Sequence, residues 1–299
     1  MSLFRFDFPS MGCPCSLQLE AADEATAARA AAHARAEVAR LDDKYSHYRE
    51  DNWLARICAS AGGQGIEVDD ETANLLDFAA TLHAQSAGRF DITAGRLTRL
   101  WDLQHGALPA PREIDAALAL VGWQRVEWQR PQLRLPLRGM RLDLGGIVKE
   151  YAADRAAQQC RDAGVEHGVV DLGGDLALIG PHADGSPWLA GIKAPRDPDR
   201  ACATIELSRG GLATSGDYER ALVIDGRRYS HIVDPRSGWP VAGFASVSVI
   251  ADACLVAGAA ATLAMLLGVE DGAAYLEELA LPYLCIDQDG RCSGSIASG

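Results

Sequence analysis

The sequence predicts an α+β fold of mixed helices and short, mostly antiparallel strands, read as one globular unit over residues 1–299 with two lobes around a cleft. Three observations lead there: helical periodicity in two long stretches, short alternating stretches at hairpin spacing, and paired glycines between them. Residues 23–45 are rich in Ala, Arg and Glu, with Val38, Leu41 and Tyr45 three or four apart, the spacing of an amphipathic helix. A second helical pattern runs from Glu71 to Ser86 through Leu75, Leu76, Ala79 and Leu82 and stops at Gly88; a third, shorter one lies near Ile114 to Leu120. Alternating stretches follow at Leu133–Leu135, Val169–Ile179, Ala203–Leu207, Leu222–Ile224 and Ser246–Ile250, a mixture that fits α+β and not a regular βαβ winding. The Pro- and Arg-containing residues 105–112 read as a surface loop. Gly-Gly pairs stand at 62–63, 145–146, 173–174 and 210–211, where backbone can turn with positive φ or approach a ligand closely. Asp-Leu-Gly-Gly occurs at 143–146 and again at 171–174, too short a phrase for a repeat architecture.

Composition excludes several functions. Asp plus Glu number 41 against 28 Lys plus Arg, a formal net charge of −13 that repels nucleic acid and anionic membranes. A phosphate-bearing ligand would therefore need backbone N–H groups, a few local cations or a metal. Ala253 to Val269 carries no charge, but it is short for a membrane span and largely Ala and Gly, which favours a buried helix. No transmembrane segment is expected. The opening residues MSLFRFDFPSMG hold no continuous apolar run and do not read as a signal peptide, so the chain as given is expected in the cytoplasm, with an exported mature form left open. The eight cysteines show neither C-x-x-C nor paired Cys/His spacing and read as buried free thiols.

Five segments carry polar groups beside glycine. Leu142 to Asp154 reads as a strand end, a glycine turn and a helix start, with Lys149 in the first turn; helix N-termini attract phosphate. Val169 to Leu176 reads as a hairpin around Gly173-Gly174-Asp175. Ala213-Thr214-Ser215-Gly216-Asp217-Tyr218 can line a polar pocket or simply turn. His231, in a strand-like context before Asp234-Pro235-Arg236-Ser237-Gly238, can serve as a general base or as an ordinary hydrogen-bonded histidine. Gly88-Arg89-Phe90-Asp91 can frame a heterocycle or cap a helix. Taken singly, each segment is read at least as well as plain turn chemistry.

Taken in order they resemble one family. Met11-Gly12, Ser46-x-Tyr48, Gly88-x-Phe90-Asp91, Asp143-Leu144-Gly145-Gly146-Ile147-x-Lys149, Gly173-Gly174-Asp175, Ala213 to Tyr218 and His231-Ile232-x-Asp234-Pro235-Arg236-x-Gly238 follow the order of the FAD:protein FMN transferases, the ApbE family. The resemblance implies an ApbE-like flavin transferase fold and magnesium-dependent transfer of FMN from FAD to a Thr or Ser of an acceptor flavoprotein, with AMP released. It implies FAD contacts from Met11, Tyr48, Arg89, Phe90, Asp91, Asp143, Lys149, Ser215 and Gly216. It implies Mg2+ ligands in the Gly146 carbonyl and Thr262, and His231 as the base for the acceptor hydroxyl.

The chain departs from the family at three places. Gly258 stands where Ala-Asp-x-x-x-Thr supplies the metal carboxylate one helical turn before Thr262, Glu150 where a glycine is usual, and Cys58 where Asn is common. Asp252 would fall on another helical face. The missing carboxylate leaves a second reading open, a FAD-binding or flavin-carrier protein impaired in transfer.

Overall fold

Helix initiation follows the side chains at the caps. The Asp23 carboxylate accepts the Thr26 N–H at 2.8 Å and starts α1 (Glu24–Tyr45), which buries Ala27, Ala30, Ala31, Ala34, Val38, Leu41 and Tyr45 along one stripe. Asn52 caps α2 (Trp53–Ala59) through Ala55, and Asp69 caps α3 (Asp70–Gln85) through Thr72. The remaining helices are α4 (Gly95–Leu100), α5 (Pro111–Leu118), α6 (Val148–Asp162), α7 (Cys254–Leu267) and α8 (Val269–Leu279). The fold is a computed structural model, which describes residues 1–101, 107–218 and 221–297.

Of the loop expected at 105–112, residues 105–106 lie outside the described residues. Residues 107–110 run irregularly, but Pro111 begins α5. Proline suits that first position because its missing N–H has no partner there in any helix, and the Glu113 carboxylate reaches back to the Ala110 N–H at 2.8 Å.

Strands β1 (Ser2–Ser10) and β2 (Cys13–Ala21) open the chain, and β3 (Ile66–Glu67), β4 (Glu127–Gln129) and β5 (Gln132–Arg134) form a small separate sheet. The second half carries β6 (His167–Leu172), β7 (Asp175–Gly180), β8 (Trp188–Ala194), β9 (Asp197–Leu207) and β10 (Gly211–Gly216). A hairpin of β11 (Ala221–Ile224) and β12 (Arg227–Ser230) follows, then β13 (Phe244–Ala251), β14 (Tyr283–Asp287) and β15 (Cys292–Gly294). The main sheet has the order β1-β2-β6-β7-β10-β13-β14-β15, and every neighbouring pair in it is antiparallel. The β6–β7 turn is Gly173-Gly174, with φ of 68° and 93°, a conformation that glycine adopts without strain.

One face of this sheet packs against α1, α6 and α7 around Leu17, Leu19, Leu41, Val170, Leu172, Val247 and Leu263. The other face is covered by the β8–β9 hairpin. Along β8 the side chains alternate: Trp188, Ala190 and Ile192 are buried against Val169, Leu178, Leu212, Leu284 and Ile286, while Leu189 and Lys193 point outward. A third cluster joins α4, α5 and the β11–β12 hairpin through Leu97, Trp101, Ile114, Tyr229 and Val233. Trp101 Nε1 donates to the Gly238 carbonyl at 2.8 Å and ties the 231–238 loop to that cluster.

Helix α7 is the uncharged Ala-rich stretch, and it is buried on nearly all sides. No residue of its own caps it. Asp154, from α6, accepts the N–H groups of Cys254 and Leu255 at 2.9 Å each. Among the described residues no helix is long and apolar enough to cross a membrane. All eight cysteines are free thiols.

Two local expectations need correction. The strand expected just before Gly145 is reduced to a single bridge between Ala94 and Arg141, because the Asp143 carboxylate accepts the Gly145 N–H and bends the chain. His231 is not in a strand: β12 ends at Ser230, whose hydroxyl accepts the Ile232 N–H at 3.0 Å and starts the turn early.

Candidate functional site

A cavity of about 1450 Å³ opens where the β1–β2 turn, the end of α1, the 89–94 segment, the start of α6, β10 and the 231–235 loop meet, and it continues past them along β6, β7 and β8. Small-molecule pockets commonly hold roughly 300–1000 Å³, so this one has room for a ligand of dinucleotide size. All twelve residues singled out from the sequence line it: Met11, Tyr48, Arg89, Phe90, Asp91, Asp143, Gly146, Lys149, Ser215, Gly216, His231 and Thr262.

Their settings differ. Met11 sits at the β1–β2 turn with φ of 52°, and its N–H donates to Asp42 Oδ2 at 2.7 Å, which fixes the turn against α1. Tyr48 is 58% exposed, its ring 4.0 Å from that of His47, and so offers an accessible aromatic surface on the rim. Arg89 donates to the Leu266 carbonyl at 3.3 Å and lies 3.7 Å from Asp271. Phe90 is buried, its N–H held by the Ser86 hydroxyl.

Both carboxylates in this wall already have partners. Asp91 accepts from the Thr93 N–H and hydroxyl at 2.8 and 2.6 Å and from the Trp123 N–H at 2.9 Å, so it shapes the loop that carries Arg89 and Phe90. Asp143 accepts from Gly145 N–H and the Thr98 hydroxyl and faces His47 Nδ1 at 2.7 Å. Burial pushes the Asp143 carboxyl up, but these bonds and the His47 charge outweigh it and hold it below the usual carboxylate range.

Lys149 lies in the first turn of α6, as expected, but its ammonium is committed. It is ion-paired with buried Asp175 on β7 and stands 3.5 Å from Glu150 Oε1. Asp175 also accepts the Thr214 N–H at 3.0 Å, so the pair links α6, β7 and β10. On the far wall the hydroxyls of Ser215 and Thr262 meet at 2.9 Å. At Gly216 any Cβ would stand 2.6 Å from the Tyr218 ring, so the close approach of that ring requires glycine. His231 is exposed and faces the cleft from its edge.

Asp252 precedes the first residue of α7 and is exposed, so it does not replace the missing carboxylate. Glu150, by contrast, lines the cleft with only 9% of its side chain exposed, and its Oε2 has no hydrogen-bond partner. It lies directly against Gly258: a Cβ there would stand 2.4 Å from Glu150 Cγ and 2.9 Å from Cδ. Two departures that are distant in sequence thus share one space. Sequence reading missed Asp42, His47 and Thr98, which hold the walls, because nothing in their spacing marks them.

The cleft is walled by glycine turns, by the Ser215 and Thr262 hydroxyls and by the side chains of Arg89 and Lys149, with the large antiparallel sheet contributing β6, β7 and β10. The ApbE family model matches residues 11–285, and the chain belongs to that family. It is 31% identical over 252 residues to the FAD:protein FMN transferase of Vibrio cholerae serotype O1, covering 82% of this chain and 75% of that one. To the enzyme of that name from Salmonella typhimurium it is 32% identical over 256 residues, covering 82% and 73%. The fold superposes on the ApbE protein of Thermotoga maritima with a TM-score of 0.90 at 30% identity, covering 98% and 97% of the two chains. For the flavinyl transferase ApbE of Pseudomonas stutzeri, apo form, the TM-score is 0.85 at 31% identity, with coverage of 99% and 94%.

Proposed function

We propose that this chain is an FAD:protein FMN transferase that joins FMN, taken from FAD, to a Thr or Ser hydroxyl of an acceptor protein and releases AMP. The observation that carries the reading is that all twelve motif residues, drawn from positions 11 to 262, line a single cleft of dinucleotide capacity. Tyr48 would offer its exposed ring to the isoalloxazine, buried Phe90 lines the same cleft, and the Gly145-Gly146 turn before α6 would let backbone approach the pyrophosphate.

In the transfer, the acceptor hydroxyl oxygen bonds to the phosphorus on the FMN side of the anhydride as the bond to the AMP oxygen breaks. His231 takes the hydroxyl proton; its exposed position on the cleft edge is one that a protein side chain can reach. Hard oxygen donors suited to Mg2+ line the cleft in the Gly146 carbonyl and the Thr262 hydroxyl, and the unpartnered Glu150 oxygen fits the same chemistry. When bound, Mg2+ would neutralise the pyrophosphate and stabilise charge on the departing AMP.

The expected result of calorimetry is tighter binding of FAD than of free FMN, because the cleft walls extend beyond the space one mononucleotide fills. Equal or tighter FMN binding would count against this reading. The direct test is incubation with FAD, Mg2+ and a Ser/Thr acceptor peptide: the peptide should gain the mass of an FMN phosphoester, and its absence under saturating FAD would leave a flavin-binding protein.

A further inference from the structure

We propose that Glu150 supplies the carboxylate ligand of the divalent cation in this cleft, from α6, and that Gly258 on α7 is glycine to make room for it. The inference rests on the transferase reading for the identity of the phosphorylated ligand, but its own support is geometric.

A carboxylate oxygen with no partner, on a side chain more than nine-tenths buried, is costly to keep unless a cation or a proton meets it. Glu150 Oε1 faces Lys149 at 3.5 Å, while Oε2 has no hydrogen-bond partner among the described residues. Besides the Lys149 ammonium, the cleft that Glu150 lines holds hard, neutral oxygen donors in the Ser215 and Thr262 hydroxyls and at Gly146, and Thr262 lies one helical turn beyond Gly258, against which Glu150 packs. Such a set suits Mg2+ or Mn2+, which take one or two carboxylates and complete their octahedron with substrate phosphates and water. Among the described residues no three His, Cys, Asp or Glu converge as a self-sufficient metal cluster, so affinity would depend on the pyrophosphate being present.

Space decides which helix provides the acid. Glu150 Cγ and Cδ occupy the volume next to Gly258 Cα, so an Asp at 258 would drive its Cβ into them at 2.4 and 2.9 Å. The carboxylate can come from 150 or from 258, but not from both without repacking. Gly258→Asp alone should therefore destabilise the protein and place two acids side by side.

The test measures Mn2+ binding by calorimetry and by electron paramagnetic resonance, on full-length protein saturated with FAD. Glu150→Gln keeps the shape and removes the charge. It should weaken Mn2+ by at least the ~10–100-fold seen when outer-shell partners of a metal are lost, with FAD affinity in EDTA unchanged. Gly258→Asp should lower the thermal midpoint, and the swap Glu150→Gly/Gly258→Asp should recover both midpoint and Mn2+ affinity. Unchanged Mn2+ affinity in Glu150→Gln, or a swap that recovers stability without the metal, would overturn the assignment and leave Glu150 as a buried partner of Lys149. Wild-type protein that binds no FAD would instead overturn the transferase reading itself, a different result from FAD binding that is indifferent to residue 150.

Discussion

His231→Asn should lower the rate of FMN transfer by about 10²–10⁴-fold while FAD remains bound with nearly its original affinity. The histidine faces the cleft from an exposed loop beyond β12, where an acceptor hydroxyl can reach it. Asn retains a polar side chain of similar reach but cannot take a proton at neutral pH. Single-turnover kinetics on FAD-loaded protein, read by mass spectrometry of the acceptor peptide, separates this loss from any loss of binding. Full turnover in the variant would return His231 to an ordinary hydrogen-bonded role and require another base.

Lys149→Ala should cost about 3 kcal/mol of folding stability, at the low end of the range for breaking a buried ion pair. The reason is Asp175: with 3% of its side chain exposed, it loses its ion-pair partner and keeps, among the described residues, the bond from Thr214 N–H. Adding Asp175→Asn should restore most of the loss, since the amide oxygen still accepts from Thr214 and the buried charge is gone. Urea unfolding of the single and double variants measures this directly. If Lys149→Ala unfolds like wild type and instead weakens FAD roughly tenfold to hundredfold, the value of one charge-assisted hydrogen bond, the ammonium leaves Asp175 for the pyrophosphate when the ligand binds.

Much of the architecture was legible from local rules. Asp23 and Asp69 sit where N-caps belong, and the stripes behind them have helical spacing, so α1 and α3 fall within a residue of their expected limits. Gly173-Gly174 can hardly avoid a tight turn, which makes β6–β7 a hairpin. The errors arose where a side chain competed with the backbone. Asp143 bends the segment that looked like a strand, Ser230 ends β12 before His231, and Pro111 opens a helix where composition suggested only loop.

The motifs are short patterns that survive in the linear order of residues, so the sequence by itself determined the family and the class of chemistry, and marked twelve residues that line the cleft. It could not determine what Glu150 and Gly258 mean to each other. Each was visible only as a departure, because their relation depends on α6 and α7 packing until a glutamate methylene fills the space beside a glycine Cα. The same holds for Lys149, whose place in the first turn of α6 follows from sequence but whose partner, Asp175, lies on a strand that only the folded sheet brings alongside. Periodicity and caps act over a few residues and can be read locally. Which charge meets which across two elements is set by the packing of the whole core, and only the tertiary structure decides it.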